Sequence, residues 1–118
     1  MKTAHFINFS NHPSKLWPES QVKAAEEFGT IIDLPFPAVD EFGDEAYIEQ
    51  MAGEYVEKIL EHEPVAVLCQ GEFCLAYAVI SKLKEKGITV LAACSKRIVE
   101  ENKEEKKSIF VFQRFRRY

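Results

Sequence analysis

A chain of 118 residues with 47% hydrophobic and 29% charged side chains has the balance of a folded protein and room for one core, which excludes a disordered tail or a two-domain layout. No apolar run reaches the ~18–20 residues of a membrane-crossing helix, so no membrane partner is expected. The net charge of -4 hides an asymmetry: residues 1–95 carry 7 Lys/Arg against 15 Asp/Glu, and residues 96–118 carry 8 against 4, so -8 stands beside +4.

A basic end on an acidic body can serve as an anion site, a docking surface for the acidic body of a second copy, or a solvated edge. A long nucleic-acid groove needs more positive charge, so no long nucleic acid is expected as a partner. The first residues lead straight into strand-like sequence, with neither a signal nor a transit peptide. Cys69, Cys74 and Cys94 lie in apolar stretches and lack zinc-like CxxC spacing. Buried thiols in a reducing, cytoplasmic location fit that usage.

Residues 3–9 (TAHFINF) are rich in β formers and read as a first strand, ended by Ser10, Asn11, His12, Pro13 and Ser14. Pro18 suits the first turn of a helix whose narrow apolar face is Val22, Ala25 and Phe28, stopped by Gly29. Residues 30–34 form a second strand closed by Pro35 and Pro37, and Asp44 can cap the helix that follows. In that helix, residues 45–61, Ile48, Met51, Ala52, Tyr55, Val56, Ile59 and Leu60 recur with a 3.6-residue period.

Residues 65–69 (VAVLC) are apolar without alternation, the mark of a strand covered on both faces. Gln70, Gly71 and Glu72 turn into a helix over residues 73–86 that stops at Gly87. Residues 88–94 (ITVLAAC) form another buried strand. The charged residues 96–107 have the composition of a short helix, and residues 108–118 form a last strand that can run in either direction. The expected fold is one α/β domain over residues 1–118: Rossmann-like, a mostly parallel five-stranded sheet with helices on both faces.

In such sheets ligands sit beyond the carboxyl ends of the strands, where helix N-termini attract anions. Three turns lie there. Ser10, Asn11, His12 and Ser14 offer hydroxyls, an amide and an imidazole that can exchange a proton near neutral pH, or they simply make the turn. Gly71 lets a ligand approach the backbone, Gln70 can read an adenine edge or a ribose, and Glu72 is a base or, more simply, a helix cap. Ser95 can cap a helix while Lys96 and Arg97 either hold phosphate or stay solvated. The phosphate and nucleotide loops GxGxxG and GxxxxGK[ST] are absent, as are GxSxG and HExxH. His5, His12 and His62 are scattered, so neither a metal site nor any cofactor is expected. Trp17 and the phenylalanines read as core or dimer contacts, with Phe110, Phe112 and Phe115 facing either the core or a second subunit.

Residues 8–13 (NFSNHP) resemble the Asn-Phe-Ser-x-His-Pro opening of small accessory proteins of type III CRISPR systems, stand-alone relatives of the CRISPR-associated Rossmann fold (CARF). Residues 68–73 (LCQGEF) and 91–97 (LAACSKR) are similar to the later turns of those proteins. The resemblance implies an antiviral-defence role: binding a cyclic oligoadenylate second messenger, cyclic tetra-adenylate foremost, across the two-fold axis of a homodimer. It also implies binding roles for Ser10, Asn11, Gln70, Gly71, Ser95 and Arg97. Ring nucleases of this kind cleave without a metal by attack of a ribose 2′-hydroxyl on the adjacent phosphorus. His12 would then move the proton, and Lys96 or Arg97 would stabilise the phosphorane. A protein lacking the acid-base group would only sequester the messenger. Two alternatives stand beside this reading: a nucleoside-processing hydrolase using Glu72, and a non-enzymatic module that docks a protein through its basic end.

Overall fold

A computed structural model describes residues 3–102 and 105–118. Three parallel strands come first: β1 (His5–Phe9), β2 (Thr30–Asp33) and β3 (Pro64–Cys69). Between them lie α1 (Glu19–Glu26), preceded by a 3-10 turn at Ser14–Leu16, and α2 (Glu45–Leu60). Helix α3 (Phe73–Glu85) leads to β4 (Thr89–Glu101), and an antiparallel β5 (Lys106–Arg117) completes a mixed, mostly parallel sheet of order β2-β1-β3-β4-β5.

The continuous apolar strands sit where both faces are covered. On one face Ile7, Phe9, Val67, Cys69 and Val90 pack against Ala52, Val56 and Ile59 of α2 and Leu75, Val79 and Leu83 of α3. On the other, Phe6, Ala66, Leu68 and Leu91 pack with Ala25 of α1 and with Phe112 and Phe115. The chain leaves β1 over one face and returns to β3 over the other, so strand order reverses between β1 and β3 and their carboxyl ends part there.

Capping explains the helix boundaries. The Asp44 carboxylate accepts from the Tyr47 amide at 2.9 Å at the start of α2. At the end of α3, Gly87 takes φ +77°, the left-handed conformation that ends helices at little cost to glycine.

The charged segment after Cys94 departs from expectation. It is not a helix: β4 runs on to Glu101, and its described part pairs with β5 from Ser95 opposite Phe112 to Glu101 opposite Lys106. Residues 103 and 104, within the expected helix, lie outside the described residues. The local Glu/Lys composition suits a helix, but Ile98 and Val99 lie opposite Ile109 and Ser108, and Glu100 lies opposite Lys107. This antiparallel ladder satisfies backbone and charge together. One residue, Gln113, is extra on β5, because Cys94 pairs with Arg114 and Ser95 with Phe112. The bulge puts Phe112 and Phe115 on the same face, whereas strict alternation would part them.

The thiols also differ from expectation. Cys69 is buried, but Cys74 is exposed on the first turn of α3 and Cys94 is half-buried where the sheet opens. Among the described residues, no helix is long and apolar enough to cross a membrane.

Candidate ligand-binding cleft

Asn8 organises the loop after β1. It is a polar residue in an apolar strand and nearly fully buried. Its Nδ2 donates to the His12 carbonyl and to Asp33 Oδ1, both at 2.9 Å, and its Oδ1 accepts from Ser10 Oγ at 2.6 Å. Ser10 Oγ in turn accepts from the His12 amide at 3.2 Å. Asp33, at the end of β2, takes the Ser14 hydroxyl at 3.0 Å, and the Trp17 indole donates to the His12 carbonyl at 3.0 Å. The backbone at His12 is therefore fixed by the side chains of Asn8, Ser10 and Trp17, with Asp33 of β2 bracing Asn8 and Ser14, a network anchored on two buried polar residues that rigidifies the loop.

Gln70 plays the matching part after β3. Its amide donates to the Phe9 carbonyl at 3.2 Å, and its side-chain Oε1 accepts from the Ala93 amide at 2.8 Å. The carboxamide thus extends the β3 ladder one step beyond the strand and ties the three strand ends together. Among the described residues its NH2 donates to no protein acceptor.

These ties bring four of the sequence-selected residues to one place. Ser10, His12, Gln70 and Ser95 line an open cleft of about 610 Å³, on the α1 face of the sheet. Leu16, Trp17, Phe110 and Phe112 make most of its walls apolar, and Pro18 and Gln21 close it beside α1. His12 is exposed, with its backbone locked at the edge of the cleft.

The other selected residues lie elsewhere or have other work. Asn11 lines a separate small hollow of about 90 Å³ beside Asp33 and Phe36. Ser14 is held by Asp33. A Cβ on Gly71 would come within 2.6 Å of the Phe36 ring, so close packing alone requires glycine there. Glu72 caps α3: its two carboxylate oxygens accept from Cys74 N at 2.9 Å and Leu75 N at 2.8 Å. The Leu75 bond first, then the Cys74 bond, hold its carboxyl below the usual carboxylate range. The helix end that was expected to attract a ligand's anion already holds a carboxylate from its own chain.

Ser95 caps no helix, because it stands inside β4. Lys96 and Arg97 do not act as a pair, since neighbours on a strand point to opposite faces. Arg97 shares the cleft side with Ser95 and Phe110, where its guanidinium donates to Ser108 Oγ at 2.9 and 3.2 Å; Lys96 lies on the α3 side. Among the described residues, no cluster of three His, Cys, Asp or Glu side chains could hold a metal ion.

Sequence reasoning missed Asn8, Asp33 and the cleft role of Trp17. The signal for Asn8 was an amide between Ile7 and Phe9 in a strand otherwise fit for burial. Trp17 and Phe112 became cleft walls through tertiary placement alone.

Comparison with curated proteins and with solved structures found no match. A family model described as the uncharacterized protein MJ1673 family matches residues 4–116, nearly the whole chain, and the chain belongs to that family.

Proposed function

We propose that the cleft binds a nucleotide base-first, with an adenylate unit of a cyclic oligoadenylate as the ligand class, and that binding rather than cleavage is the function. The observation that carries this reading is the combination in one 610 Å³ cleft of Trp17 and Phe110 with the unengaged NH2 of Gln70. Aromatic walls accept a base by stacking, a carboxamide can pair with an adenine edge, and the Ser95 hydroxyl and His12 suit a ribose. The strand order, and helices on both faces around the reversal between β1 and β3, support reading the fold as Rossmann-like, in which this is the usual ligand position.

Binding is favoured over ring cleavage because, of the three residues assigned to the chemistry, His12 lines the cleft, whereas Arg97 lies on the cleft side of β4 but outside the lining, with its guanidinium held by Ser108. Lys96 is on the other face, and among the described residues no second acid or base lines the walls. Arg97 reaches a phosphate by exchanging its bond to Ser108. The hydrolase alternative loses its base, since Glu72 is committed to the cap.

The test is a thermal-shift titration with adenosine monophosphate and with cyclic tri-, tetra- and hexa-adenylate, each mixture then chromatographed. A shift with one ring size and intact ligand is the expected result, since a ligand of the folded state alone stabilises it. Phe110→Ala should weaken binding roughly tenfold, within the range of a lost base-stacking contact. Linear products would restore cleavage, and no shift with any adenylate would overturn the reading.

A further inference from the structure

The β4–β5 hairpin outgrows its sheet. β3 pairs with β4 only from Ala66 opposite Thr89 to Leu68 opposite Leu91, and the Gln70 side chain adds one bond at Ala93. Beyond it, residues 95–101 and 106–112 form a two-stranded arm with no third strand on either edge among the described residues. A lone two-stranded ribbon is marginal in water and needs a surface to rest on. On the side facing α3, the arm shows Ile98, Ile109 and Val111, each about 40% exposed. Beside the arm's base, on the same face, lies a groove of about 670 Å³ between α3 and Tyr118, lined by Phe73, Tyr77, Ile80 and Lys84. Phe73 and Tyr77, one helical turn apart, are 89% and 74% exposed. The helix that normally covers this part of an α/β sheet is the segment that became the arm.

We propose that a second copy of this chain covers it. Two molecules clasp about a two-fold axis, the α3-facing side of each arm seated in the groove of the other. The two halves of the contact are carried by one chain and differ in shape, arm and groove, and a two-fold axis makes both contacts at once. Charge favours the same partner: the segment from residue 96 onward carries +4 and the rest of the chain -8. A partner's arm crossing α3 carries Lys96, Lys107 and Arg114 past Lys84 of the groove toward the glutamates of the neighbouring α2, of which Glu49 already holds Lys82. The attraction is therefore between the two bodies as wholes rather than at the groove itself. Size is that of a weak dimer: an arm face of seven residues is about 23 by 10 Å, so two arms and the surfaces receiving them put on the order of 900 Å² out of water, below the ~1,200 Å² of a standard specific interface. The clasp uses the face opposite the cleft, and the two meet at Gln70, which lines both.

The experiment is light scattering and sedimentation equilibrium on the full chain, from about 1 to 200 μM, and on two exposed-surface variants. Ile98→Lys combined with Ile109→Lys spoils the arm, and Tyr77→Glu spoils the groove. The full chain is expected at twice 13.5 kDa, with dissociation promoted by salt, and each variant at 13.5 kDa with an unchanged far-UV spectrum. Ile98→Ala with Ile109→Ala, which adds no charge, should dissociate at least tenfold more readily than the parent. A monomeric full chain at 200 μM, or a dimer that survives both variants, would overturn the clasp.

Discussion

The two ends of the sheet obey different rules. Around β1 and β3 helices cover both faces of the sheet, and Phe6, Ile7, Phe9, Val67 and Cys69 are sealed from water. In the β4–β5 arm the same kinds of residue, Ile98, Val99, Ile109 and Phe110, remain in solvent and are joined mainly across one ladder. The cleft sits on the seam, with a floor from the rigid end and a wall, Phe110 and Phe112, from the arm. A site built this way has a fixed half and a half free to adjust.

The sharpest way to break this contrast is to delete one phenylalanine ring from each region. Phe6 is fully buried against Phe115, Phe28 and Trp17, with ring centroids 5.3, 5.8 and 6.4 Å away. Phe6→Ala should cost about 3–5 kcal/mol in urea unfolding, the transfer loss plus an unfilled cavity. Phe110→Ala, at 69% exposure, should stay within about 0.5 kcal/mol. Equal losses would mean that the arm is folded into the core and the contrast is wrong.

How legible each region was follows from the same physics. The strands at residues 65–69 and 88–94 announced themselves because burial on both faces demands unbroken apolar sequence. Asp44 and the Glu72 cap were readable because capping is local chemistry. The arm was not, because residues 96–107 have a locally helical composition, while the conformation of residues 95–101 is set by pairing with residues 106–112. A register with an extra residue at Gln113 is a property of two strands together, and no single segment carries it. The convergence of Ser10, His12, Gln70 and Ser95 followed from topology. The separation of Lys96 from Arg97 followed from β4 continuing, so the expected cationic turn failed with the expected helix.

A smaller effect probes the boundary between the regions, where α3 begins. Glu72→Ala should lower stability at pH 7 by about 1 kcal/mol, as for loss of an N-cap. The folded carboxyl titrates below its unfolded value, so the stabilisation is complete above the ordinary carboxylate range and lost as pH falls through the folded value. Parent and variant should therefore converge in acid, checked by urea midpoints from pH 7 down to about 3. A gap that widens in acid would mean that the carboxyl acts in its protonated form.

The gentlest probe is the order in which the three thiols react. Burial pushes the Cys69 thiol up to about 12 and seals it in the core, so it should label only on unfolding. Cys94 should label in the folded monomer and be slowed wherever a second copy covers the α3 side of β4. Cys74 is exposed, yet the neighbouring Glu72 charge raises its pKa, followed by their hydrogen bond. Its neutral-pH rate should lie below that of an ordinary exposed thiol, and Glu72→Gln should raise it by removing the charge while keeping an acceptor for the helix. Mass-resolved labelling of the folded protein separates the three sites. If Cys69 reacted as early as Cys94, the sealed end of the sheet would open as readily as the arm, and the cleft would have no fixed half.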